Sequence, residues 1–217
     1  MNIDEVYKII SYLVDKYQGA YISPDEFNSV INMAQTQYIE FLTDDSGNLN
    51  SNNPKYIPGQ MQSSSISDKL STFYKESTLT IAAGLADKPA DMFTATSVRT
   101  SGNRPIKKVF DDNLATYLSN PIDAPTETEP IYMEFGTKFK FYPSSISVPI
   151  LGYIRNPVSM KWAYTGNLVY SEVGSVQPEW GNADMNEIIY RAIGIIGINL
   201  KDGDLLRVAQ TIKKEGQ

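Results

Sequence analysis

The chain reads as an α+β protein, with a helical hairpin at its N-terminus, a small antiparallel β unit in the middle and helices at its C-terminus. Three observations predict this. Apolar residues repeat at steps of three and four over the first forty or so positions. The period then falls to two in a middle stretch rich in Pro and Gly turns, and a wide helical stripe returns after Met185. Runs of strands set apart from runs of helices are the pattern of an α+β fold, since α/β folds alternate the two.

Ile3, Val6, Tyr7, Ile10, Leu13, Val14 and Tyr17 form one face of a helix that should end near Gly19. A second helix begins at Ser23-Pro24-Asp25-Glu26: Ser23 caps, Pro24 fits the first helical position and Glu26 completes a capping box. Its apolar face is Phe27, Val30, Ile31, Ala34, Tyr38, Phe41 and Leu42. From Thr43 to Ser65 the chain turns to Asn, Ser, Gly and Pro without periodicity, which predicts a long exposed loop; such loops are often functional. Ile66–Phe73 reads as a short helical turn. Thr78–Ile81, Phe93–Arg99, Ile106–Phe110, Ile131–Phe135, Lys138–Tyr142 and Val148–Arg155 read as strands, with a hairpin turn at Gly136-Thr137. Asp111 should cap a short helix carrying Leu114, Tyr117 and Leu118. Met185, Ile188, Ile189, Ala192, Ile193 and Ile196 give the closing helix, and Leu205, Leu206, Ala209 and Ile212 a last short one after Asp202-Gly203. The expected division is 1–76 for the helical hairpin with its 43–65 loop, 77–181 for the β unit, and 182–217 for a helix and tail that pack with the N-terminal helices.

Composition narrows the function. The 217 residues include no Cys and no His. Without Cys there are no disulfides and no thiolate chemistry. Without His the Ser-His-Asp and Cys-His mechanisms and ordinary zinc enzymes are excluded. The net charge of −6 is the wrong sign for gripping nucleic acid by its phosphates, although an acidic wall would let DNA slide past without sticking. No segment approaches the roughly 20 apolar residues that span a bilayer, so no membrane partner is expected. Asp4 and Glu5 stand where a signal peptide would carry positive charge, so the expected place of assembly is a cytoplasm.

Each chemical motif has a plainer structural explanation. Asp44-Asp45-Ser46-Gly47-Asn48 has the composition of a calcium loop, but with Gly47 as its central glycine the first and last ligands would be Leu42 and Asn53. Gly194-Ile195-Ile196-Gly197 has the spacing of an RNA-clamping loop yet lies in an apolar stripe without basic neighbours, where close helix packing explains it. Asp111-Asp112 fits a helix start and Glu127/Glu129 a turn better than a pair of glycosidase acids. No phosphate-binding loop, dinucleotide fingerprint or nucleophile elbow occurs. No catalytic residue, cofactor or metal is therefore expected. Fourteen tyrosines are many for this length, and Tyr and Trp are enriched at protein interfaces. The expected interface residues are Tyr56, Trp162, Tyr164 and Trp180, with Leu205, Leu206 and Ile212 of the tail.

Four stretches, in order, resemble the neck proteins of tailed phages of Bacteroides, the crAss-like group among them. They are Tyr21–Asn28 with Asn32–Gln35, Ile66–Phe73 with Leu85–Phe93, Phe141-Tyr142-Pro143 with Val148–Pro157 and Lys161-Trp162, and Glu187–Leu200. The resemblance implies a non-enzymatic virion protein: a head-to-tail connector, assembled in the host cytoplasm. It would form a homo-oligomeric ring, commonly a dodecamer, stacked on the portal and on other neck or tail ring proteins. Genomic DNA would pass through the lumen without sequence-specific binding. Other phage tail or capsid-accessory roles, and a carbohydrate- or protein-binding β module, stand as alternatives.

Overall fold

A computed structural model describes residues 1–18, 21–47, 68–120, 124–146 and 148–199. The fold is α+β, with helices at both ends and a central, mainly antiparallel sheet region. The chain divides into two compact units: residues 1–69 with 157–217, and residues 70–156. The division therefore falls earlier than the expected 76/77 and 181/182 boundaries. The strands after Pro157 group with the helices because Met160 and Trp162 are buried there.

In the helical unit, α1 (Ile3–Gln18) and α2 (Pro24–Gly47) are both closed by reciprocal capping boxes. The Glu26 amide donates to Ser23 Oγ at 3.3 Å, and Ser23 N–H donates back to Glu26 Oε2 at 2.9 Å. The same exchange joins Glu5 N–H to Asn2 Oδ1 (2.8 Å) and Asn2 N–H to Glu5 Oε2 (2.9 Å). Such pairs satisfy amide groups that a helix start otherwise leaves without partners. α2 continues to Gly47, so the segment expected to loop out at Thr43 is still helical there; Thr43 Oγ1 donates to the Ile39 carbonyl at 2.8 Å. The rest of the expected 43–65 loop lies outside the described residues, as do Tyr56, the tail and its expected short helix. The closing helix spans Asn182–Asn199 and packs on α1 and α2. Ile3, Val6, Ile10, Phe27, Ile31, Ala34, Met185, Ile188 and Ala192 are all buried in this unit.

The second unit holds two sheets. In the first, β7 (Ile150–Arg155) is central, flanked antiparallel by β1 (Tyr74–Thr78) and β3 (Met92–Arg99). β1 stops earlier than the expected Leu79–Ile81 alternation. Leu79 N–H still donates to the Pro149 carbonyl at 2.8 Å, but Pro149 has no N–H to return, and the ladder ends. The second sheet runs β2 (Leu85–Asp87), β6 (Lys138–Tyr142), β5 (Ile131–Phe135), β4 (Lys107–Lys108). The β5–β6 hairpin turns at Gly136-Thr137 as expected. β4 is shorter than the expected Ile106–Phe110 strand and runs parallel to β5, so the unit is not wholly antiparallel. The long connection between them contains a short helix, Asp111–Ser119, and a parallel pair needs such a crossover. Asp111 is the first residue of that helix and not its cap; Phe110, in extended backbone, holds the cap position. Leu79, Val98, Ile106, Tyr132, Phe139, Phe141, Leu151 and Tyr153 form one buried cluster here.

Two side-chain details fix this unit. Gly84 sits at φ +79°, and a Cβ there would meet Ser144 Cβ at 3.0 Å. Gly84→Ala is expected to cost about 1–3 kcal/mol in denaturant unfolding, from left-handed strain plus overpacking. Glu134 lies between Lys88, at 2.7 Å, and Lys108. Burial pushes its carboxyl up, but the two ammonium groups outweigh this and hold it below the ordinary glutamate value. A depressed carboxylate contributes stability that is present above the unfolded-state pKa and lost as pH falls through the folded value. Below about pH 4 the unit should therefore lose stability. Glu134→Gln should flatten that acid limb in thermal melts recorded across pH.

Candidate functional site

The helical unit contains a feature that neither helix propensity nor apolar periodicity announces. Three carboxamides on α2, Asn28, Asn32 and Gln35, face the extended segment 158–162. Asn28 Nδ2 donates to the Trp162 carbonyl at 3.1 Å, and Trp162 N–H donates to Asn28 Oδ1 at 2.7 Å. Asn32 makes the same two-way exchange with Met160, at 2.8 Å in each direction. Gln35 Nε2 donates to the Val158 carbonyl at 3.2 Å, and its Oε1 accepts from Trp180 Nε1 at 3.2 Å. From Asn28 to Asn32 the spacings agree, because four helical residues rise about 6.0 Å and two strand residues about 6.6 Å; the three-residue step to Gln35 rises only about 4.5 Å, and the longer Gln side chain reaches the Val158 carbonyl. A helix face thus does for this segment what a neighbouring strand would do. Gln35 is only 5% exposed, and its amide is satisfied at both ends.

The ladder delivers the segment to β8 (Lys161–Thr165), which pairs with β9 (Val169–Val176) as a two-stranded ribbon. Trp162 is buried, stacked on Tyr7 with ring centres 4.1 Å apart, and its Nε1 donates to Asp4 Oδ1 at 3.1 Å. Burial pushes the Asp4 carboxyl up, yet hydrogen bonds from Lys8 and Trp162 bring it below its ordinary value. Tyr164 stacks on Trp162 at 5.8 Å and remains 44% exposed.

The far part of the ribbon is irregular and apolar. Its turn includes Leu168 at φ +58°, a left-handed conformation for a branched residue. The register then jumps from Ala163↔Ser171 to Lys161↔Val176, so the intervening residues of β9 bulge out. Gly174, at φ +92°, allows the bulge, and Ser175 Oγ closes its base by accepting from Ala163 N–H (2.9 Å) and donating to the Ser171 carbonyl (2.6 Å). Bulges re-aim side chains. Here Val173 becomes 88% exposed, and Leu168 and Val169 are also in solvent.

Of the residues expected at an interface, Tyr164 lies on this ribbon. Trp162 and Trp180 instead belong to the interior of the unit, where their indole N–H groups are bonded to Asp4 and Gln35. Tyr56, Leu205, Leu206 and Ile212 lie outside the described residues. Leu168, Val169 and Val173 were missed, since single exposed apolar residues leave no periodic trace. The Asn28–Asn32–Gln35 spacing was visible, but its partners stand more than a hundred residues away.

The acidic pairs stand in the structural settings expected of a helix start and a turn. Asp111 and Asp112 occupy a helix's first turn, and Glu127 Oε1 accepts from Ser145 Oγ at 2.8 Å. Gly194 and Gly197 lie within the closing helix. Among the described residues no cluster of three or more Asp or Glu could hold a metal, and no helix is long and apolar enough to cross a membrane. Residues 70–156 hold as many Lys and Arg as Asp and Glu, so the net charge of −6 resides in the helical unit. No protein-family model matches the chain, and no curated protein matches it.

Asn32→Leu removes both partners of the buried Met160 backbone. Each orphaned group costs about 1–3 kcal/mol. The variant should unfold at lower denaturant, and native-state hydrogen exchange at the Met160 amide should accelerate together with the global loss. Unchanged stability would show that the ladder contributes nothing net.

Proposed function

We propose that this chain is a ring-forming subunit of a phage head-to-tail connector, a virion protein that stacks on the portal and surrounds the DNA path between capsid and tail. The reading rests on the ordered resemblance to neck proteins of crAss-like phages. The observation that carries it is the β8–β9 ribbon. Its backbone holds a left-handed Leu168 and a bulge at Gly174, and it presents Leu168, Val169 and Val173 to solvent. Non-glycine backbone in rarely populated regions costs about 1–3 kcal/mol and points to function where it persists. Exposed apolar side chains on a ribbon that pairs with no further strand among the described residues suit a contact with another protein. If that contact joins unlike surfaces of identical subunits, it generates a ring when the rotation between neighbours closes and an open filament when it does not.

Charge supports the proposed passage of DNA. The helical unit carries the whole acidic excess, and an acidic surface repels phosphates. A glycan-binding platform is less well supported: the exposed rings of Tyr74 and Phe135 belong to different sheets and do not make one aromatic face.

Mass photometry and negative-stain electron microscopy of the purified chain, alone and with portal, test the proposal. Closed rings, or a defined complex with portal, are expected. Val173→Asp combined with Leu168→Glu should shift the population to monomer while leaving the circular dichroism spectrum intact. A chain that stays monomeric and does not bind portal would overturn the reading.

A further inference from the structure

A groove of about 440 Å³ opens on the helical unit, at a distance in sequence from the ribbon. Val14 of α1, Tyr21 of the connector, Val30 and Met33 of α2 and Ile195 of the closing helix line it. Tyr21 and Met33 are 66% and 54% exposed, so the groove presents apolar side chains to water that the described residues do not cover. Asp25 and Glu26 also line it. The Glu26 carboxylate is held by Ser23.

Two further facts say what fits there. The closing helix ends at Asn199, about one turn beyond Ile195, and 200–217 continue the chain from that point. Six residues from Asn199 to Leu205 can span at most about 20 Å, enough to reach back along a groove that begins beside them. The sequence beyond is also complementary to the groove. Leu205, Ala209 and Ile212 recur at helical spacing, with Arg207, Lys213 and Lys214 and no acid between 205 and 214. Apolar side chains would meet Val30 and Met33, and the basic ones the acidic margin at Asp25 and Glu26.

We propose that this groove is the seat of the chain's own C-terminal segment, with Leu205, Leu206 and Ile212 covering Met33 and Tyr21. A segment tethered this close has an effective concentration in the millimolar range, which favours the same chain over a neighbouring copy. The proposal is independent of the ring reading, because a link within one chain is detected whether or not subunits assemble.

The absence of native Cys makes the test direct. Met33→Cys is combined in the full-length chain with Leu205→Cys, Leu206→Cys or Ile212→Cys. Each pair is oxidised, and the product is resolved by non-reducing gel and peptide mass spectrometry. At least one pair should form an intrachain disulfide in a yield independent of protein concentration. Tyr12→Cys, about 200° around α1 from Val14, should stay unlinked to the same partners. Tyr21→Cys repeats the test from the other wall, with most of that side chain already in solvent. Links only between chains would assign the groove to a neighbour's tail and overturn the proposal. No link from either wall, in variants whose circular dichroism is native, would overturn it equally.

Discussion

The helical unit depends on the exchange of hydrogen bonds between α2 and the backbone at 158, 160 and 162. An extended segment laid against a helix has no ladder to join, and each buried N–H or C=O left without a partner costs free energy. Asn28 and Asn32 supply those partners at a spacing that suits both a helix and a strand, and Gln35 does so through its longer side chain. The consequences extend outward. Met160 and Trp162 can be buried, Tyr7 can stack on Trp162, and the β8–β9 ribbon leaves the unit from a defined position. Gln35 ties the same helix to Trp180, just before the closing helix. The helix that organises the core therefore also sets where the proposed contact surface stands.

Polar satisfaction recurs around this framework. Tyr38, almost fully buried on α2, donates to Asp184 Oδ1 at 2.7 Å, and Lys69 Nζ approaches the same carboxylate at 3.5 Å. Burial first, and then the Asp184 carboxylate, push the Tyr38 hydroxyl far above its ordinary value, so it stays protonated and remains a donor. Arg191 pairs with Glu187 at 3.0 Å and lies over the Phe41 ring at 4.8 Å. The residues 70–156 solve the same problem differently, by pairing backbone with backbone in two sheets around a shared apolar cluster. That difference explains the division of the chain. The segment after Pro157 satisfies its backbone on helix side chains, so it groups with the helices.

Much of the fold was legible from local rules. The Ser23–Glu26 box, the apolar stripes of the three long helices and the Gly136-Thr137 hairpin all depend on residues a few positions apart, and each formed where expected. The Asn2–Glu5 box is equally local, two residues three positions apart. The errors came where a distant partner decided the outcome. β1 ends where Pro149 fails to donate, and β4 runs parallel because its chain returns through a crossover. The two tryptophans invited an interface reading, since their composition fits one, but carboxamide and carboxylate acceptors elsewhere in the unit drew them inside.

The sequence by itself determined the α+β class, the long helices and their caps, the acidic balance and the lack of His and Cys chemistry, because all of these follow from composition or from neighbours along the chain. Only the tertiary structure decided that three amides on α2 replace a strand, that the Trp162 ring is interior, and that Val173 is lifted into solvent on a bulge. The third follows from the register jump between β8 and β9, and the first two share one physical reason. A buried polar group must find a partner wherever the folded chain offers one, and that partner stood far away in sequence.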